Sequence, residues 1–155
     1  MSTIERPLVR ESSRAGAGLT GAAGLLDVET AAYQSFWLLR IGFTLAPILF
    51  GIDKFAHVLV NWDKYLAPEF VDVFHLQAHT LMYGVGVIEI VAGLVVALRP
   101  RFGGYLVAAW LAGIIVNLLL LGDYYDVALR DFGLLLAALT LARLATAVAP
   151  SRRRA

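Results

Sequence analysis

From about residue 33 onward, long apolar runs alternate with short polar interruptions along the chain. Segments such as 88–98 and 106–121 are apolar at almost every position, with no polar stripe at helical spacing. A helix that is hydrophobic all round is either buried or lies in lipid. Four such runs, at about 33–60, 79–98, 102–121 and 127–148, predict four membrane-spanning helices, because about 20 helical residues cross a hydrocarbon core of roughly 30 Å. The expected fold is all-α, a polytopic four-transmembrane-helix bundle. A soluble four-helix bundle would need the polar faces that these runs lack.

The interruptions have patterns of their own. Residues 1–32 mix charges with Gly, Ala and Ser, and read as a flexible polar extension with at most a short surface helix over 15–26. They contain no uninterrupted apolar core of the signal-peptide kind. In 61–78, Trp62, Tyr65, Leu66, Phe70, Val73 and Phe74 alternate with Asp63, Lys64, Glu69, Asp72 and His75, and Pro68 interrupts the pattern. That predicts an amphipathic, interfacial connection broken into short helices. Pro47 is expected to kink the first span and free a carbonyl near Phe43. Gly104, Ala108 and Ala112 repeat every four residues, as do Ala109 and Gly113. Such rows let helices approach closely in lipid, although Ala and Gly are abundant enough here to give them by chance.

Charge sets an orientation. Arg6, Arg10, Arg14, Arg99, Arg101, Arg143, Arg152, Arg153 and Arg154 fall on one side, against Lys54, Lys64 and Arg130 on the other. The positive-inside rule then places both termini in the cytoplasm. The basic tail at 150–155 reads as a topology and anionic-lipid anchor, not as a nucleic-acid site. Of the 155 residues, 59% are hydrophobic and 16% charged, well below the quarter that is usual for soluble domains. The absence of cysteine excludes disulfides, thiolate zinc, iron–sulfur ligation and dithiol redox chemistry. No phosphate loop, nucleophile elbow or paired-carboxylate hydrolase pattern is present.

Candidate chemistry is confined to polar residues placed in the spans. Asp53, Lys54 and His57 share a face of the first helix, His79 opens the second, Asn117 is near the end of the third, and Arg130 and Asp131 open the fourth. All lie toward the outer level, where Asp53 and Asp131 balance Lys54 and Arg130. Glu89 is expected deeper, near the midplane, either neutral and hydrogen-bonded or paired with Arg40 or Lys54. Arg40 lies toward the inner face. Two explanations compete for this layer. Buried ion pairs between the first and fourth helices would only fix packing, whereas ionisable residues inside spans commonly mark a ligand or proton site. His75 and His79 are four apart and, with His57, form a candidate divalent-metal set; His57 and His79 can also be imagined as axial haem ligands. The plainer expectation for interfacial histidines is an amphipathic surface, so neither metal nor haem is favoured.

Arg40…Gly51-x-x-Lys54 in the first span, Glu89-x-x-x-Gly93-Leu94 in the second and Arg130-Asp131-x-Gly133-Leu134 opening the fourth resemble the DoxX family of small bacterial and archaeal membrane proteins. The likeness covers about 38–144. It implies a multi-pass protein of the cytoplasmic membrane, with Arg40, Lys54, Glu89, Arg130 and Asp131 as a polar core. Some relatives are the small subunit of a thiosulfate:quinone oxidoreductase, and others a membrane partner in an oxidant-defence complex. The resemblance therefore implies a quinone-linked redox subunit with a protein partner. A non-catalytic scaffold or assembly partner is the alternative, and a homo-oligomer is compatible with either. A small transporter or channel is less favoured, since four helices enclose little lumen and no discontinuous-helix pair is evident.

Overall fold

A computed structural model describes the backbone of residues 6–148 and the side chains of residues 24–148. Regular structure among the described residues is entirely helical. Helix α1 spans Arg6–Ala56, α2 Pro68–Phe74, α3 Ala78–Leu98, α4 Pro100–Leu121 and α5 Tyr125–Val148, with a 3-10 turn at Trp62–Tyr65. Four helical segments are long and apolar enough to cross a membrane: Gly24–Ala56, Ala78–Leu98, Pro100–Leu121 and Tyr125–Val148. At 1.5 Å per residue, α3, α4 and α5 are about 32 to 36 Å long. Large apolar side chains such as Leu45, Leu49, Val91, Leu119, Leu120 and Leu136 are about half exposed on their outer faces. Such a surface suits hydrocarbon and not water.

Two boundaries differ from the sequence expectation. No helix starts near residue 33, because α1 runs through the segment expected to be a flexible extension. Alanine, the best helix former, is the commonest residue in 15–32, and no proline falls between Pro7 and Pro47, so Gly16, Gly18, Gly21 and Gly24 weaken the helix without terminating it. At its other end α1 stops at Ala56, short of residue 60. The Asp53 carboxylate accepts hydrogen bonds from the Val58 and Leu59 backbone N–H groups, both at 3.0 Å, and His57 adopts a left-handed φ of 53°. Those bonds give the backbone an alternative to another helical turn.

Contacts divide the chain into two units, through Ser35 and from Phe36. The first contributes helix α1 up to that point, where Thr30 donates its hydroxyl to the Leu26 carbonyl one turn earlier. The second holds the core. Its α1 segment runs antiparallel to α3, and glycines set the approach. A Cβ on Gly51 would lie 2.6 Å from the Gly86 carbonyl oxygen, and one on Gly93 would lie 2.7 Å from the Thr44 carbonyl oxygen. Helix α4 meets α5 through Gly104, whose Cβ would lie 2.8 Å from the Ala138 carbonyl oxygen, and through buried Ala108, Ala138, Ala142 and Ala145. The two small-residue rows therefore divide. Gly104 and Ala108 form an interface, whereas Gly113 has nothing within 4 Å of its Cβ position. Pro100 at the first turn of α4 and Gly122 at its end, with φ of 72°, make the two tight reversals possible.

The Gly51–Gly86 contact is steric, so Gly51→Ala is expected to lower stability by about 1–3 kcal/mol. A reduced thermal midpoint in detergent is the measurement. Gly84→Ala, whose Cβ meets nothing within 4 Å, should stay at or slightly above wild type.

Candidate functional site

The α1–α3 glycine contact has a direct chemical consequence. A Cβ on Gly86 would lie 3.2 Å from the Lys54 Cβ, so the lysine stem lies against the α3 backbone. Its ammonium then reaches Glu89, less than one turn further along α3. Lys54 Nζ donates to Glu89 Oε2 at 2.6 Å, and the two side chains are 4% and 10% exposed. A pair so short and so dry is charge-assisted and shielded from solvent. Of the two partners open to Glu89 from sequence, Lys54 is the one used. Arg40 instead donates to the Ala97 carbonyl near the end of α3, and stacks on the Trp37 ring at 4.8 Å.

Trp62, from the 3-10 turn, closes over the pair. Lys54 Nζ lies 3.9 Å from the centroid of its ring, a cation–π contact. The indole N–H of Trp62 donates to Asp53 Oδ2 at 2.7 Å. Asp53 thus spends one oxygen on Trp62 and the other on the Val58 and Leu59 backbone, which makes it the residue that turns the chain after α1. Asn117 does the same service from α4. It accepts from the Ala67 N–H at 2.9 Å and donates to the Tyr65 carbonyl at 2.6 Å. Ala67 is completely buried beneath it.

Beside the Lys54–Glu89 pair is a cavity of about 1030 Å³. Its walls are mostly apolar, including Phe43, Phe50, Phe70, Met82, Leu111 and Leu134, and the connection covers one end with Trp62, Tyr65 and Phe74. Lys54, Glu89, Asn117, Arg130 and Asp131 bring polar groups to it. So does Trp110. The indole nitrogen of Trp110 is buried and directed at the Glu89 carboxylate, but the contact falls short of a well-formed hydrogen bond. A buried donor whose bond is poorly made costs free energy. An acceptor placed in the cavity would satisfy it better.

Other sequence-chosen residues land elsewhere. The expected ion pairs between the first and fourth spans do not form: Lys54 is taken by Glu89, Asp53 by the turn, and Arg130 bonds Asp126 at 3.2 Å within its own helix. That pair is largely exposed, and pairs of this kind contribute little. Asp131 lines the cavity on the α5 side and faces Glu89 only through its electrostatic field. Glu89, in the middle of α3, joins Lys54 and Trp62 in one cluster.

His75 caps α2 in a left-handed conformation with φ of 53°, outside α3, so His75 and His79 do not share a helical face. His57 and His79 are close, with ring centroids 5.1 Å apart and planes 19° from parallel. Axial haem ligation requires their nitrogens to point at each other across an iron. Stacked face to face, they leave no room for a macrocycle, and the haem alternative is discarded.

Two residues that the sequence did not bring forward, Trp62 and Trp110, are central here. Trp110 had a signal, since tryptophan favours membrane interfaces and this one stands in the middle of an apolar run. Trp62 looked like an ordinary interfacial aromatic. Comparison with protein-family models, with curated proteins and with solved structures found no match for the chain.

Breaking a buried ion pair leaves the surviving charge uncompensated. Lys54→Met is therefore expected to cost about 3–5 kcal/mol, and the double replacement Lys54→Met with Glu89→Leu to recover most of it. Denaturant unfolding of the detergent-solubilised variants measures both. Equal losses for the single and the double variant would show that the pair itself, not the orphaned carboxylate, carries the stability.

Proposed function

We propose that the chain is a DoxX-like integral membrane protein that holds a quinone in its interhelical cavity and serves as the membrane subunit or partner of a redox complex. The observation that carries this reading is a mostly apolar cavity ending at a buried, incompletely bonded N–H donor next to a buried Lys–Glu pair. Ligand pockets in helical bundles combine largely hydrophobic walls with a few convergent polar groups. A quinone has that division: an isoprenoid tail for the walls and carbonyl oxygens for donors. Trp110 Nε1 would donate to one carbonyl, and Lys54 or Arg130 to another. Glu89, hydrogen-bonded to Lys54, is the group able to exchange a proton with a reduced quinone oxygen. Electron transfer itself requires a donor from a partner protein. With both termini cytoplasmic, as the arginine distribution favours, the polar end and the connection lie at the outer face of a bacterial or archaeal cytoplasmic membrane.

A second reading, a non-catalytic membrane scaffold, draws on a different observation. Lys54, Glu89, Asp53 and Asn117 all have partners in the fold, as a network built only for packing would. Separating the two needs a change that blocks the cavity and leaves the network alone. Gly113 lines the cavity and has nothing within 4 Å of its Cβ position. A short-chain ubiquinone analogue is expected to quench Trp62 and Trp110 fluorescence saturably in wild type. Gly113→Phe should weaken that binding about tenfold or more, with an unchanged thermal midpoint, each tenfold being about 1.4 kcal/mol. Wild type without saturable quenching, and without quinone extractable after mild purification from native membranes, would leave the scaffold reading.

A further inference from the structure

At the polar end, three segments converge on a point that the quinone cavity does not use. His57 follows α1, Asp63 belongs to the 3-10 turn and His79 lies in the first turn of α3. One ligand atom from each lies within 4.8 Å of the other two. We propose that His57, Asp63 and His79 form a binding site for a borderline divalent cation of the zinc class.

The hydrogen bonds around the cluster orient each ring as a ligand. His79 Nε2 is 2.9 Å from the Tyr83 hydroxyl, and its Nδ1 is 3.1 Å from Asp63 Oδ2. With the proton on Nδ1 the ring donates to Asp63 and accepts from the tyrosine hydroxyl; with the proton on Nε2 it donates to the tyrosine oxygen, and Nδ1 and the carboxylate together present two lone pairs to one cation. The 3.1 Å separation also fits two ligands that each stand at about 2.0–2.2 Å from one zinc ion. His57 is arranged likewise. Its Nδ1 is 3.3 Å from the Phe55 carbonyl oxygen, so the tautomer that donates there leaves Nε2 free. Ligating histidines almost always donate their second N–H to an oxygen in this way. The remaining carboxylate oxygen, Asp63 Oδ1, is buried without any hydrogen-bond partner.

Two imidazoles and one carboxylate suit zinc and its neighbours in the transition series, and not magnesium or calcium, which take oxygen shells. A separation of 4.8 Å must close by roughly an ångström or more for tetrahedral binding. His57 and His79 are exposed and can rotate out of their stack to do so. Three protein ligands leave at least one position open to water. A bound ion would also tie α1 and α3 to the turn that carries Trp62, next to Asp63 in the chain. The site thereby secures the cover of the cavity, although its existence does not depend on what the cavity holds.

The test uses the full chain, purified without a histidine tag and reconstituted in lipid nanodiscs, titrated with Co²⁺ and then with Zn²⁺. One equivalent of Co²⁺ should bind with visible d–d bands, and Zn²⁺ should abolish them. His57→Gln, Asp63→Asn and His79→Gln are each expected to weaken binding at least tenfold, and His75→Gln less than twofold. Zn²⁺ should raise the thermal midpoint of wild type but not of His57→Gln. His57 is exposed, so that variant keeps the fold. Absence of stoichiometric binding overturns the proposal. So does equal affinity in wild type and His57→Gln, or a loss in His75→Gln as large as in the other three.

Discussion

A lysine and a glutamate facing each other at 2.6 Å inside an apolar bundle constrain everything near them. Neither charge can be left alone there, because each would carry several kcal/mol of desolvation without its partner. Lys54 can reach Glu89 only because α1 and α3 touch backbone to backbone at Gly51 and Gly86. Any larger residue at those positions would push the helices apart and lengthen the ion pair. Packing and electrostatics are therefore one constraint here. The glycines exist in the register where the charges need them, and the charges penalise every other register of the two helices.

The connection after α1 depends on the same centre. It carries few apolar side chains that are buried: Ala67 is fully covered, and neither the 3-10 turn nor α2 contains a buried residue. Hydrophobic burial alone would not hold it. Polar clamps do so instead, with Asp53 gripping the Trp62 indole and two backbone amides, and Asn117 gripping the backbone of Tyr65 and Ala67. Each buried hydrogen bond of this type contributes about 1 kcal/mol in water, and more is at stake where water cannot replace it. Polar residues that look anomalous in an apolar segment thus have an ordinary task. They hold a loop where apolar surface is scarce.

The helices were legible in the sequence because hydrophobic run length is a one-dimensional property. Spans three and four were expected at 102–121 and 127–148, and the helices are Pro100–Leu121 and Tyr125–Val148. The site was legible as a set of residues but not as pairings. Sequence places Asp53, Lys54, Arg130 and Asp131 at one level, and charge balance then favours pairing the first helix with the fourth. Which helix faces which is decided by the small residues, and the decisive contacts, Gly51 with Gly86 and Gly93 with Thr44, depend on which glycines of two helices stand opposite each other, which no spacing within one helix shows. The end of α1 was missed for a related reason. A carboxylate four residues before a turn carries no terminator signal unless its targets are known. Trp62 and Trp110 acquire their importance only from what stands opposite them.

Whether the polar centre is a site or a clasp turns on which groups are incompletely partnered. Lys54, Glu89, Asp53 and Asn117 are satisfied within the fold, so replacing any of them disturbs stability whether or not the centre binds a ligand. A loss of function in such a variant has two explanations and decides nothing. Trp110 is different: its N–H is buried, only loosely engaged by Glu89 and adjacent to the cavity. If the centre were only a clasp, Trp110→Phe would remove a poorly satisfied donor and keep most of the ring volume, leaving stability near wild type. If the centre is a site, the same change removes the donor that a ligand carbonyl needs. Binding falls while the apoprotein is as stable as before. The informative positions are thus the groups the fold has not fully used, and not the charges that first attract attention.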